Sequence, residues 1–372
     1  MKVILLGATG AMGRRAAEIL SQSPEVEELT LAGRRLDAVE ALAKQLGGSS
    51  RAIGLDVRDH EAVVSALKEH DVAAGAVGPY YLFEERLVKA AIEAKVPYVS
   101  ICDDHDAAQA VFALDPQAKE RGITILTGAG WTPGLTNILA KKGVAMLDKA
   151  TRVNIAWAGA LADADGLASM LHALHIFTGQ VPSFSQGRQA MVRAGTGRRV
   201  ITFPQPVGPV PVYHTGHPEP ITIPRFIPGL EEVTLRGGLN EALVANLTLA
   251  FTRLGLTRTP AARDRLLRFM QPFLPFILKL SGPPRPVSAA HVAVHGVKDG
   301  KPAVVEMAAA GRMRDLTALP HAVATIMVGR GEVSVPGVIA PEAPGGPDPD
   351  RFLAVLKELG LNVEIRVSTG SA

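Results

Sequence analysis

The chain has 372 residues, of which 47% are hydrophobic and 20% charged, so its composition is globular rather than disordered. The formal net charge of only +3, with no block of five or six basic residues, argues against a nucleic-acid partner. The single cysteine, Cys102, excludes an internal disulfide and favours a reducing, cytoplasmic setting.

The first ten residues, "MKVILLGATG", contain one lysine and a short apolar run. The run leads into a glycine loop and not into a small-residue cleavage site, so it predicts a first strand rather than a signal peptide. Further along, every long apolar stretch is interrupted by charge, histidine or proline before roughly 18 residues. No integral membrane segment is therefore predicted.

Residues 2–128 predict strands and helices in strict alternation. Six short apolar strands joined by about five amphipathic helices indicate an α/β fold with a parallel, doubly wound sheet. The carboxyl ends of the strands then meet at one edge, where ligands bind. The predicted strands cover 2–8, 28–33, 51–57, 71–78, 97–102 and 123–130.

The pattern changes after residue 130, and three regions follow from it. Residues 1–130 are predicted as a dinucleotide-binding domain, and 131–315 as a second α/β domain with a mixed or antiparallel sheet. Residues 316–372 are predicted as C-terminal helices that return to the first domain. The second domain is expected to contain a strand at 151–160, helices at 166–179 and 241–255, and a β-hairpin that turns at Asp299 and Gly300.

A glycine triplet, G-x-x-G-x-x-G, directly follows the first strand and opens a helix, the context in which such a motif binds a dinucleotide. The first glycine allows a tight turn, the second lets the backbone approach a pyrophosphate, and the third lets the helix pack close to the sheet. The amides at the helix start then face the phosphates. The predicted contacts are Gly7, Thr9, Gly10, Ala11, Met12 and Gly13.

Two arginines end the second predicted strand, in "LTLAGRR". Arg34 lies 21 residues after Gly13, where an acidic residue normally binds the ribose hydroxyls. An arginine there suits a 2′-phosphate, so the sequence favours NADP over NAD. Arg35 is a candidate to stack on the adenine, although both arginines are also typical solvated helix-start residues. Asp56 and Val57, after the third strand, are predicted to lie at the adenine edge.

Three later loops are predicted to form an active-site rim on the same sheet edge. After the fourth strand, the backbone of Val77, Gly78 and Pro79 is expected to reach the nicotinamide ribose, with Tyr80 beside it. The fifth strand ends in "SICDDHD" and the sixth in "TGAGWTPGLTN". From the last loop, the predicted substrate contacts are Trp131, Thr132 and Asn137.

Together these motifs resemble the saccharopine dehydrogenase (saccharopine reductase) family, through almost the whole chain. The resemblance implies a Rossmann domain and an NAD(P)-dependent oxidoreductase that acts on C–N bonds of a small amino or imino acid. It also implies a homodimer in which the second domain, residues 131–315, makes the substrate and dimer contacts. The motifs that carry it are "GATGAMG", "LAGRR", "AVGPY", "PYVSICDD", "GAGWTPGLTN", "GHPEPITIPR", "LRGGL" and "GRGEVSVPGVIAPE".

One departure concerns the acid–base residue, since Ser100 stands where relatives often have an acid. Asp103 and Asp104 follow a few positions later. One of them is expected to cap the next helix, and Asp104 is the candidate acid–base residue. In the second domain the polar stretch 213–225 is either a structured surface loop or part of the site. In the latter case its contributions are His217 as a second catalytic residue, with Glu219 and Arg225 binding substrate.

Several alternatives remain open at this stage. His172 with His175, and His214 with His217, have a zinc-compatible spacing, but no further ligands stand nearby in sequence, so no metal is predicted. The apolar stretch 268–280 suits the core or a dimer contact better than a membrane surface. A non-catalytic NADP-binding redox sensor and a membrane-peripheral scaffold are the competing functions.

Overall fold

The computed structural model describes residues 1–160, 167–280 and 286–370. They form two compact units. The first contains residues 1–138 and 314–360, and the second contains residues 139–313 and 361–372. The predicted helix at 166–179 therefore begins one residue outside the described part of the chain, and 161–166 as a whole lie outside it.

The first unit contains a seven-stranded sheet with helices between its strands. Its strands are β1 (Lys2–Leu6), β2 (Glu28–Gly33), β3 (Ser50–Gly54), β4 (Val72–Gly75), β5 (Tyr98–Ser100), β6 (Thr124–Leu126) and β15 (Gly337–Ile339). Its helices are α1 (Ala11–Gln22), α2 (Leu36–Leu46), α3 (His60–Leu67), α4 (Tyr80–Ala94), α5 (His105–Phe112), α6 (Asp115–Arg121), α13 (Met313–Gly329) and α14 (Pro349–Glu358). Helix α7 (Leu135–Ala145) carries the chain into the second unit.

The strand order is β15-β6-β5-β4-β1-β2-β3, and all pairs are parallel. The central strands β1 and β4 are apolar and almost wholly buried, as expected for a sheet covered on both faces. The order reverses between β1 and β4, which opens a crevice at their carboxyl ends. The predicted doubly wound parallel sheet is confirmed.

Strand β15 extends this sheet, although it follows β6 by about 210 residues. The amide of Gly337 donates to the carbonyl of Ile123, and the Thr124 hydroxyl donates to the carbonyl of Val335. The three-residue strand was not predicted, because so short an apolar run has no recognisable period. Thus 316–372 do not consist of helices alone.

The second unit contains a nine-stranded mixed sheet. Its strands are β7 (Lys149–Gly159), β8 (Gln180–Ser185), β9 (Arg188–Arg193), β10 (Arg199–Thr202), β11 (Pro209–His214), β12 (Glu232–Leu239), β13 (Ser288–Lys298), β14 (Lys301–Gly311) and β16 (Glu364–Thr369). Its helices are α8 (Leu167–Ile176), α9 (Glu219–Phe226), α10 (Ala242–Arg253), α11 (Pro260–Met270) and α12 (Leu274–Leu280).

The main path of this sheet is β10-β11-β12-β7-β13-β14-β16, with the β8–β9 hairpin attached to β12. Only β7 and β12 pair in parallel along it, so the predicted mixed sheet is confirmed. Asp299 and Gly300 both have positive φ, at 51° and 71°, as a two-residue hairpin turn requires. The predicted hairpin turn is therefore correct.

One domain boundary and one segment of the second unit differ from the expectation. Strand β16 lies in the second unit, so the end of the chain does not stay with the first. The stretch 213–225 is not a surface loop, because 215–220 are buried and α9 begins at Glu219. Its prolines indicated a loop, but Pro220 occupies the first turn of α9, where a missing amide costs nothing.

Within the described residues no helix combines the length and the apolar character needed to cross a membrane.

Candidate functional site

The glycine loop joins β1 to α1 at the crevice of the first sheet. Gly7 has a φ of 83°, and the amides of Gly7 and Ala8 both donate to the carbonyl of Ala32, 3.0 and 3.2 Å away. These bonds fix the turn against the end of β2. The amide of Arg14 donates a hydrogen bond to the carbonyl of Gly10, at 2.8 Å, in the first turn of the helix. The amides of Ala11, Met12 and Gly13 precede it and form the donor end of α1.

Two glycines of the loop have no room for a side chain. A Cβ on Gly7 would lie 2.5 Å from the carbonyl oxygen of Ala76, and a Cβ on Gly13 would lie 2.2 Å from that of Gly7. On Gly10 the nearest atom would be 3.4 Å away, which is an ordinary contact. Gly7 and Gly13 thus hold β1, α1 and the end of β4 together, whereas Gly10 leaves the loop surface open. The loop has the shape of a phosphate-binding turn.

Arg34 and Arg35 directly follow β2 at the same edge, and both side chains are exposed. No ion pair involving Arg34 is found among the described residues. Its charge acts on Asp56, whose pKa falls to about 2 mainly through hydrogen bonds from Arg58 and, to a smaller extent, through the field of Arg34. Asp56 and the neighbouring Val57 are partly exposed. The predicted residues for the adenine half of a dinucleotide therefore share one edge of the sheet.

Beyond the loop, a buried cluster lies where β4 and β5 end. Tyr80 opens α4 and packs against Ile101, Cys102 and Ala107, with Met12 of α1 at its margin. Val77, Gly78 and Pro79 precede Tyr80 and are partly exposed. The structure thereby brings together two predicted groups, the cofactor residues of α1 and the start of α4.

Glu84 is a fully buried acid that the sequence analysis did not single out. It lies one turn after Tyr80 in α4, and its Oε2 accepts a hydrogen bond from the Tyr98 hydroxyl at 3.2 Å. Burial raises the pKa of Glu84 to about 7. The same burial raises the pKa of the Cys102 thiol, which therefore stays protonated at neutral pH. The sequence did contain a signal of this burial, because Glu84 shares one helical face with Tyr80, Leu87 and Ala91.

Asp104 stands at the N-terminal boundary of α5, but its side chain is directed to another helix. Its Oδ2 accepts the backbone amide of Tyr81 at 3.1 Å, and the side chain is fully buried. That amide belongs to the first turn of α4, where donors have no partner within the helix. Asp104 therefore joins the starts of two helices in the cluster, and Asp103 beside it is partly exposed. A catalytic role of Asp104 stays a prediction.

The loop after β6 is tightly packed within the first unit. Trp131 and Thr132 are buried, and Asn137 is fully buried. Asn137 accepts the amide of Gly134 at 2.8 Å and donates to Glu342 Oε2 at 2.8 Å. These bonds tie the loop to the segment after β15. They give Asn137 a structural role, and its predicted contact with substrate stays a prediction, as do those of Trp131 and Thr132.

His217 and Glu219 are both buried in the second unit. His217 Nδ1 lies 3.9 Å from Glu219 Oε2. The His217 ring stacks on the Trp157 indole, with centroids 5.6 Å apart, and meets His172 at 5.3 Å. This aromatic cluster includes Trp157, which sequence reasoning missed because an apolar strand gives it no distinguishing pattern. An indole, an imidazole and a carboxylate are thus buried together in the second unit.

The other predicted residues of this unit have different environments. Arg225 is exposed on α9, with its guanidinium 5.7 Å from the centre of the Phe226 ring. His214 lies 3.4 Å from Arg236, and burial next to this guanidinium lowers its pKa to about 4. The ring contact His172–His217 joins one member of each histidine pair that has zinc-compatible spacing.

The glycine turn, the reversal of strand order and the open strand edge define the first unit as a Rossmann-type dinucleotide-binding domain. Residues 3–126 match the family described as "Saccharopine dehydrogenase NADP binding domain". The resemblance to the saccharopine dehydrogenase family is thus confirmed over these residues, which lie in the first unit.

Curated relatives align over a limited part of the chain. Saccharopine dehydrogenase [NADP(+), L-glutamate-forming] of Saccharomyces cerevisiae is 31% identical over 143 residues, which is 38% of this chain and 30% of that protein. The "Lipid droplet localized protein" of Caenorhabditis elegans is 28% identical over 157 residues, 40% of this chain and 36% of that protein. The alignments span about a third of the length of these relatives.

A solved structure covers the whole fold. Apo saccharopine dehydrogenase (L-Glu forming) from Saccharomyces cerevisiae superposes with a TM-score of 0.69, covering 98% of this chain and 99% of that one. The sequence identity is 19%, so the likeness shows the fold alone. It extends the match beyond the dinucleotide-binding domain to the second unit with its mixed sheet.

Proposed function

We propose that this protein is an NADP-dependent oxidoreductase that acts on a C–N bond of a small amino or imino acid. The observation that carries the proposal is the glycine loop, with Gly7 and Gly13 in sterically closed positions and Arg34 exposed at the end of β2. The saccharopine dehydrogenase-type domain supports the same class of reaction.

The residues of the first unit fit the two ends of NADP. The amide groups at the start of α1 are donors for the pyrophosphate. Arg34 is suited to the 2′-phosphate, because its planar guanidinium donates two parallel hydrogen bonds to phosphate oxygens. Arg35 is assigned to the adenine face. At the other end, the backbone of 77–79 is assigned to the nicotinamide ribose.

NADPH supplies the hydride when it is bound. The chain itself must bind the substrate, exclude water and move a proton. Asp104 is assigned as the acid–base residue of the first unit, and His217 that of the second, with Glu219 orienting the His217 ring. Arg225 is assigned to a substrate carboxylate, and Tyr80, Trp131 and Thr132 to the walls of the site.

Arg34→Ala should weaken NADPH binding about 10–100-fold and leave NADH binding nearly unchanged, because only NADPH carries the 2′-phosphate. Isothermal titration calorimetry with NADPH and with NADH measures the two affinities. Arg121→Ala is the matched control, since it removes the same charge from the end of α6, at the opposite edge of the sheet. Equal affinity of the wild-type protein for both cofactors would refute the NADP assignment.

The reaction is tested by screening amine and 2-oxo-acid pairs for NADPH oxidation. For an active pair, Asp104→Asn should lower kcat about 10²–10⁴-fold and leave the NADPH affinity unchanged. Asparagine retains an oxygen for the Tyr81 amide, so the fold is expected to survive. If the protein is instead an NADP-binding redox sensor, no amine and 2-oxo-acid pair leads to NADPH oxidation. Asp104→Asn then leaves the NADPH affinity unchanged and has no activity to lower.

A further inference from the structure

The stretch 268–280 forms an exposed apolar stripe in the second unit. The stripe consists of Phe269, Phe273, Phe276 and Leu280, which are 67, 50, 65 and 61% exposed. Their spacing of four, three and four residues is that of one helical face, across α11, a 3-10 turn at 271–273 and α12. The Phe269 and Phe273 rings are in contact, with their centroids 5.7 Å apart. A core role for these four residues is therefore excluded.

Single exposed apolar residues are ordinary on protein surfaces, but three phenylalanines and a leucine on one face are not. The same helices also border an apolar cavity. This partly open cavity, of about 80 Å³, lies between α8, α10, α11 and α12 and is lined by residues such as Leu174, Phe251, Leu267, Met270 and Ile277. The helices are thus apolar both on the outer stripe and around the cavity that they line.

The charge around the stripe is strongly positive. Residues 242–280 contain six basic side chains and one acidic side chain, whereas the net charge of the whole chain is +3. Five of these cations are exposed, and the lone acid, Asp264, forms an ion pair with Arg268 at 2.9 Å. The exposed cations are Arg253, Arg258, Arg265, Arg268 and Lys279.

We propose that the stripe docks this protein onto an anionic lipid surface. The phenylalanines and Leu280 enter the boundary between headgroups and acyl chains, and the surrounding cations bind the anionic headgroups. Apolar residues on one face of a helix, with arginine and lysine around them, have the chemistry of a peripheral membrane anchor. A second copy of this chain fits less well, since two such surfaces would bring like charges together.

The test is co-sedimentation of the full chain with vesicles of phosphatidylcholine alone or with one third phosphatidylserine. We expect binding to the anionic vesicles, at least tenfold weaker without phosphatidylserine and reduced by salt. Phe269→Glu combined with Phe276→Glu should weaken that binding at least tenfold. Met191→Glu with Val200→Glu is the matched control, because these residues are 58 and 53% exposed on β9 and β10 and carry the same change of charge.

A second variant, Arg265→Glu with Lys279→Glu, replaces only exposed polar residues and should also abolish anionic-vesicle binding. It decides the question if the phenylalanine variant does not fold, which circular dichroism would detect. Absence of wild-type binding, or binding that both variants retain, overturns the proposal. So does light scattering that shows a wild-type dimer, dissociated by the phenylalanine variant, with no vesicle binding. That result would assign the stripe to contact between copies.

Discussion

Gly13→Ala is expected to destabilise the protein by about 1–3 kcal/mol or more and to weaken NADPH binding about tenfold or more. The new methyl group would lie 2.2 Å from the carbonyl oxygen of Gly7 and 2.9 Å from its carbon. Both are backbone atoms, which cannot rotate away as a flexible side chain does. The helix must therefore move off the sheet, and its amides move with it. Urea unfolding and NADPH titration measure the two effects.

Gly10→Ala is the control for this prediction. Its methyl group would meet nothing closer than 3.4 Å, and its φ of −71° is allowed for alanine. The apo protein should therefore lose less stability than Gly13→Ala does, about 0.5–1 kcal/mol, because alanine is a poorer N-cap residue than glycine. Any loss of NADPH affinity would then come from the loop surface that faces the cofactor. If Gly13→Ala proved as stable as Gly10→Ala, the close packing of α1 on the loop would be disproved.

Glu84→Gln should change how the stability of the protein depends on pH. Burial raises the folded-state pKa of Glu84 from 4.5 to about 7. Below pH 4.5 the carboxyl is neutral in both states and carries no penalty. Between pH 4.5 and 7 the unfolded chain ionises while the folded one does not, so wild-type stability falls, by about 3 kcal/mol in total. Above pH 7 the loss levels off. Glutamine has no charge to ionise and escapes this loss.

The measurement is the unfolding free energy of both proteins from pH 4.5 to 8. The unfolding free energy of Glu84→Gln should rise relative to that of the wild type as the pH rises. The variant retains an amide oxygen that can accept the Tyr98 hydroxyl. Glu85→Gln is the matched control, because Glu85 is half exposed and pairs with Lys89 at the surface. The unfolding free energy of Glu85→Gln relative to the wild type should vary by less than about 0.5 kcal/mol over this pH range. A pH-independent effect of Glu84→Gln would contradict the raised pKa.

The dinucleotide-binding domain was predictable because its signals are local. Each strand is a short apolar run, each helix has a 3.6-residue period, and the glycine spacing specifies the turn. The position of Arg34 follows from counting along the same unit. The sequence therefore indicated both the sheet and the edge on which Gly7, Gly13 and Arg34 meet.

The missed features depend on contacts between distant parts of the chain. Glu84 is a buried acid on helix α4, and its hydrogen bond from Tyr98 on strand β5 helps to explain why it is tolerated inside. His217 and Glu219 were candidate site residues, but their burial was not predicted, because their proline-rich stretch is also typical of a surface loop. In the structure the His217 ring stacks on Trp157. No period in the sequence reports such contacts.

The pairing of β6 with β15 has a consequence for how the protein is made. On a ribosome, the first 138 residues emerge long before Gly337–Ile339, so the β6 edge has no partner while the second unit is being synthesised. An unpaired strand edge is a template for aggregation. The nucleotide-binding unit is thus completed late, and the nascent chain must keep that edge protected until β15 arrives.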